Sequence, residues 1–327
     1  MKRLWWITAC CVLVGLAGLA GCGGATSAAP SSAAPSQFPL TFDNCGKKIT
    51  IERPPEKLLT IGTPAVDVLH QVGASDRVVA RAGEYEVPAT GPAGTAVQNK
   101  PIIDAEQPSL EKILGAKADM VIGYGPGKTT AEDLAGVRIP IYVQTAYCGP
   151  HGGGTGDGGQ LTDVLDDITF LGQVFGTEQQ ATESARGLGQ RIDAVKAARP
   201  AGDRKTAAVI YFLGDARYTY GDQAIVSDQM ATLGLANALG SVGQDSALNV
   251  EAFIGAKPDV VILIYGYEAG DTFEKAKQKL LAIPGVSAMK AVTSNSIVGV
   301  TGPEVEGSPI AVDGLERMAR QLSGSPG

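Results

Sequence analysis

EKILGAKADMVI, residues 111–122, returns as EAFIGAKPDVVI at residues 251–262. Glu111, Gly115, Ala116, Lys117, Asp119, Val121 and Ile122 fall on Glu251, Gly255, Ala256, Lys257, Asp259, Val261 and Ile262. Each copy opens on an acid, runs through a short helical segment and ends in an apolar run of strand character. One such phrase in each half predicts two similar α/β units within one chain.

The text around both copies has the same grammar. In the first half, strands are expected over 58–62, 77–81, 119–124 and 139–144, with helices over 63–72, ended by Gly73, and 109–114. In the second half, strands are expected over 206–213, 260–265 and 296–300, with helices over 227–233, 251–255 and 310–322. Short apolar runs separated by helices are the pattern of parallel α/β layers. Between the halves, Leu161, Leu165, Ile168, Leu171, Val174, Phe175, Leu188, Ile192 and Val195 recur at helical spacing without a proline. A capping signal at Gly176-Thr177 lies inside this run, which reads as one long helical connection. The expected fold class is α/β, two Rossmann-like lobes joined by one long helix.

The chain begins with Lys2 and Arg3, and no charge follows from Leu4 to Ala20. A basic start and an apolar run of that length make a secretory signal. Leu19-Ala20-Gly21-Cys22 at its end resembles a bacterial lipobox, which implies cleavage before Cys22 and lipidation of its sulfur. Residues 23–37, rich in Gly, Ser, Ala and Pro, cannot bury enough surface to fold and read as a tether. The expected organisation is signal peptide 1–21, tether 22–37, N-terminal lobe 38–160, connecting helix 161–199 and C-terminal lobe 200–327. The protein is then exported and held by lipid at the outer face of the cytoplasmic membrane.

Without Lys2 and Arg3 the mature chain has 25 basic against 34 acidic residues, a balance of −9. That argues against nucleic acid as a partner. Cys10 and Cys11 leave with the signal and Cys22 takes lipid, so Cys45 and Cys148 remain. In an oxidising compartment they form a disulfide or persist as two buried thiols. His70 and His151 stand alone, without metal-ligand spacing around them. Gly123–Thr130, GYGPGKTT, misses the phosphate-loop pattern because Ile122 stands where its first glycine belongs. Neither G-x-S-x-G nor H-E-x-x-H occurs, so an enzyme is not expected, nor a resident cofactor or metal.

The chain resembles the ABC-importer substrate-binding proteins of the iron-siderophore, haem and cobalamin class. The resemblance runs from about Phe38 to Leu322. It is carried by RPPEKLLTIGTPAVDVLHQVGASDRVVA (53–80), SLEKILGAKADMVI (109–122), MATLGLANALG (230–240), VEAFIGAKPDVVIL (250–263) and IPGVSAMKAVTSNSIVGV (283–300). It implies the class III periplasmic binding protein fold, a ligand clamped between two lobes, and no catalysis. It also implies one surface glutamate per lobe docking on arginines of the permease; those positions fall on Glu111 and Glu251. As helix-opening carboxylates they also gain about 0.3–1 kcal/mol each from the helix dipole.

Ligands of open α/β sheets bind beyond the carboxyl ends of the strands. Tyr85, Tyr124, Tyr147, Tyr218, Tyr220, Tyr265 and Tyr267 lie at or just past expected strand ends, whereas Tyr142 and Tyr211 sit within strands and read as core. A tyrosine-walled cleft suits a bulky, partly planar ligand. Arg81, Arg217 and Lys128 are candidate positive charges for an anionic ferric chelate, and Glu304 falls where the family places a cleft residue. His151, in the glycine-rich loop 147–159, is either a haem axial ligand or a solvated loop residue. A ferric siderophore is the first expectation for the ligand; haem and cobalamin stay open. A bare metal ion is disfavoured by the scarcity of histidine, and a surface protein that lost transport remains a rival. The expected partners are ABC permease subunits, with the chain itself a monomer.

Overall fold

The two copies of the repeated phrase fold alike. In the computed structural model, which describes residues 38–84, 88–125, 127, 129–149, 158–199 and 205–324, they form helices Leu110–Ala116 and Val250–Gly255. Each is capped by a polar side chain: Ser109 accepts from the Lys112 amide and Asn249 from the Ala252 amide. Ile113 and Phe253, one position after the helix-opening acid's neighbour, are fully buried. Both helices hand over to a lysine with positive φ, 55° at Lys117 and 47° at Lys257. The following aspartates do the same work. Asp119 accepts from the amides of Glu56 and Lys57, and Asp259 from the amide and hydroxyl of Thr206. Each thereby ties its strand to the start of the neighbouring central strand.

The first half is a five-stranded parallel sheet. Its spatial order is Ile102–Asp104, Val78–Ala82, Leu58–Ile61, Met120–Gly123, Ile141–Val143. Read by chain position the order runs outward in both directions from Leu58–Ile61, so the topological switch point lies between that strand and Met120–Gly123. The second half is a six-stranded mixed sheet built on Lys205–Leu213, with Val260–Tyr265 and Ile297–Thr301 parallel on one side. On the other side the chain doubles back at once: Ala216–Tyr220 runs antiparallel to Lys205–Leu213. Tyr218 and Tyr220 therefore stand within a returning strand rather than in a loop past a strand end.

Residues 161–198 do not run as a single rod. Leu161–Phe175 ends where Gly176 takes φ 69°, and Glu178–Ala198 begins after it. The amide of Thr177 bonds back to the carbonyl of Gly172, closing the left-handed cap that only glycine adopts cheaply. The two helices pack against each other and against Thr63–Val72, and the second also meets Ile310–Leu322. There Arg191 pairs with Asp313 and Glu316. Their apolar faces share one core with the first sheet, including Leu58, Leu69, Met120, Ile168 and Leu171, and with Ala311 and Leu315 of the second half.

An N-terminal hairpin, Leu40–Asn44 with Lys47–Ile51, was not expected from the sequence; its strands are short and mostly polar. Buried Asn44 exchanges two 2.8 Å hydrogen bonds with the backbone of Val143 at the edge of the first sheet. Cys45 at the hairpin turn is disulfide-bonded to Cys148. No helix among the described residues is long and apolar enough to cross a membrane. Cys22 and the expected signal and tether lie outside the described residues.

Candidate functional site

A cavity of ≈ 540 Å³ lies between the carboxyl ends of the two sheets. From the first half it is lined at the switch point by Gly62, Thr63, Pro64 and Tyr124, with Asp67, Gly83, Glu84 and Tyr147 beside them. From the second half come Leu213, the last residue of Lys205–Leu213, and Tyr267, Glu268, Pro303, Glu306 and Ser308, which follow Val260–Tyr265 and Ile297–Thr301. Space for the aromatic rings is made by missing side chains. A Cβ on Gly62 would strike the Tyr124 ring, and φ 91° there already excludes most residues. A Cβ on Gly302 would come within 2.6 Å of the Tyr267 ring.

Glu306 joins the two walls. Its Oε2 accepts from the Tyr147 hydroxyl at 2.9 Å and its Oε1 from the Tyr267 hydroxyl at 3.2 Å. Tyr147 in turn accepts from the Gly307 amide, and Tyr267 shares a 2.8 Å hydrogen bond with Tyr220. Desolvation raises the Glu306 carboxyl, an effect its two tyrosine donors oppose. Burial, then the charge of Glu306, pushes the Tyr147 phenol far above its ordinary range. Burial does the same to Tyr220 and Tyr267. These hydroxyls are held protonated as hydrogen-bond groups rather than poised to lose protons.

Across the cavity, Asp67 is buried on the helix Thr63–Val72, and its carboxyl is pushed up to about 7 by burial first and by Glu84 next. The Ser308 side chain, from the second half, opposes that shift. Glu84 is buried beside it, one oxygen paired with Arg81 at 2.7 Å.

Of the residues expected at the site, Tyr124, Tyr147 and Tyr267 line the cavity, with Tyr124 and Tyr147 edge to face at 6.0 Å. Tyr218 and Tyr220 stand behind, both stacked on buried Tyr211, at 5.3 and 4.9 Å. Tyr265 turns away and packs against Phe273. Among the described residues, neither expected arginine lines the cavity. Arg81 is buried, its guanidinium committed to Glu84 and the Lys100 carbonyl, and Arg217 is exposed on the returning strand. Glu304 is likewise spent on structure: its carboxylate caps the turn at Thr301 and pairs with Arg317 at 2.7 Å. Tyr85, Lys128 and His151 lie outside the described residues. Among the described residues no group of three or more His, Cys, Asp or Glu is placed to hold a metal ion.

Sequence reasoning missed Asp67, Glu84, Glu268, Glu306 and Ser308. Asp67 left a trace, an acid in the otherwise uncharged apolar run from Leu58 to Leu69. Glu306 left none that separates it from Glu304 two residues earlier.

Comparison with known proteins agrees with this architecture. A cobalamin-binding protein of Halobacterium salinarum is 25% identical over 294 residues, 86% of this chain and 73% of that protein. An ABC transporter substrate-binding lipoprotein of Bacillus subtilis is 22% identical over 317 residues, 93% of this chain and 92% of that one. A crystal structure described as an ABC-type Fe3+-hydroxamate transport system, from Saccharomonospora viridis, superposes with a TM-score of 0.74 at 28% identity. It covers 88% of this chain and all of that one. Residues 60–302 match the family described as periplasmic binding protein, and the chain belongs to that family.

Proposed function

We propose that the chain is the substrate-binding component of an ABC importer, exported and lipid-anchored through Cys22, that captures a ferric siderophore between its two halves. The observation that carries this is the cavity at the carboxyl ends of both sheets, walled by Tyr124 and Tyr147 from one and Tyr267 and Glu306 from the other. Aromatic walls with few, placed polar groups suit a bulky ligand bound for transport. The Tyr147 and Tyr267 hydroxyls are tied into the Glu306 network, and ligation of iron by either phenolate would break that network and oppose its raised pKa. A ligand that brings its metal already enclosed is therefore favoured over haem awaiting an axial tyrosine.

Cobalamin meets the same condition and is the second reading, supported by the Halobacterium salinarum relative. Glu111 and Glu251 are exposed at matching positions of matching helices, which supports their role as paired docking carboxylates for the permease. The function is binding and delivery, without chemistry on the ligand. Calorimetry against a ferric trihydroxamate, cyanocobalamin and haem tests the reading. Tight binding of the hydroxamate alone is expected; tight binding of haem alone would reject both readings.

A further inference from the structure

The cavity wall is acidic. Asp67, Glu84, Glu268 and Glu306 all line it, and no Lys, Arg or His is among its described lining residues. Glu84 makes this more than a cluster of like charges. Its side chain is fully buried; Oε2 accepts from Arg81 and from the Ala89 amide, while Oε1 has no hydrogen-bond partner among the described residues. A buried carboxylate oxygen without a donor is costly, and among the described residues this one stays unanswered at the wall of the cavity. The tyrosines point the same way. The Tyr147 and Tyr267 hydroxyl protons go to Glu306, so what these groups offer is acceptor capacity. A wall made of acceptors asks for a donor, and a negative wall asks for a positive one.

We propose that the ligand presents a positively charged nitrogen, an ammonium group, to the Asp67–Glu84–Glu268 side of the cavity, and that the site thereby rejects anionic chelates. An ammonium carries three donors and no acceptor, which complements the carboxyl groups of Asp67, Glu84 and Glu268 on this side of the wall. A carboxylate-bearing chelate would set like charge against buried like charge. The proposal rests on the chelate-binding reading above and narrows its substrate class to cationic chelates.

The test uses one iron-binding framework with three tail charges: the ferric trihydroxamate ferrioxamine B with its free ammonium, its N-acetyl derivative, which is neutral, and its N-succinyl derivative, which is anionic. Titrated calorimetrically into the full chain, the ammonium form should bind at least about tenfold tighter than the acetylated form, and the succinylated form weakest. In the double variant Asp67→Asn/Glu268→Gln the gap between the ammonium and acetylated forms should shrink several-fold. Equal affinity for all three, or tightest binding of the anion, overturns the charge rule and leaves the siderophore reading standing. A gap unchanged in the double variant also overturns it, because the discrimination would then lie elsewhere. Failure of all three to bind removes the siderophore reading, and this inference with it.

Discussion

At the scale of single residues, the site depends on one carboxylate and two absent side chains. Glu306 is the only described side chain that takes hydrogen bonds from both walls, through Tyr147 and Tyr267. Tyr147→Phe removes a donor from that carboxylate and the acceptor for the Gly307 amide. Leaving those partners unanswered should cost about 1–3 kcal/mol of stability, read as a lowered denaturant midpoint, and should weaken ligand binding. Retention of both would show that the link between the walls is incidental. Gly302→Ala probes the opposite kind of dependence. The backbone there tolerates a side chain, but the new Cβ would meet the Tyr267 ring at 2.6 Å. Overpacking of this sort costs about 1–3 kcal/mol, and because the ring lines the cavity the loss should be larger in affinity than in thermal stability. Half of this was legible beforehand. Tyr124, Tyr147 and Tyr267 were expected there because strand ends are visible in an apolar pattern, whereas the placement of Arg81 was not legible, since no local pattern says that it turns inward to Glu84.

At the scale of elements, the repeated phrase was readable because each part has a local cause: a polar cap, one buried apolar anchor, a left-handed lysine and a strand-tying aspartate. The long helical run was readable in content and misleading in shape. Its apolar spacing continues through Gly176, and only the positive φ adopted there turns one rod into two packed helices. The hairpin Leu40–Asn44 with Lys47–Ile51 was invisible, because its support is remote: Asn44 on Val143, 99 residues away, and Cys45 on Cys148, 103 residues away. That disulfide bears on the site, since Cys148 follows Tyr147 directly. Cys45→Ser/Cys148→Ser should lose about 2–5 kcal/mol and also bind ligand more weakly, because the segment carrying Tyr147 loses its covalent hold. A variant that is less stable yet binds equally well would confine the bridge to a structural role.

At the scale of the whole molecule, two buried carboxyls make stability depend on pH in an unusual direction. Asp67 is buried at the cavity wall, and Asp167 accepts from the Tyr142 hydroxyl and from the amide and hydroxyl of Thr145. Burial is the first cause in both cases, and each carboxyl is raised from 3.8 to about 7. Between those values the folded chain keeps protons that the unfolded chain releases, so the free energy of unfolding falls as pH rises. The stabilising effect of these two groups is complete below about pH 4 and is lost by the time pH has passed through about 7. Salt-bridged acids such as Asp259, held down at about 2 mainly by its hydrogen bond with Lys290, act only at the acid extreme and do not mask this window. Urea unfolding of the protein should therefore show a higher midpoint at pH 5 than at pH 8. Asp167→Asn, which keeps an acceptor for Tyr142 and cannot ionise, should reduce the difference by a substantial part while leaving the pH 8 midpoint equal or higher. A midpoint that rises from pH 5 to pH 8, or a slope that Asp167→Asn leaves untouched, would mean that these carboxyls are ionised at no cost in the native protein, and that the acidic interior is wetter than its burial implies.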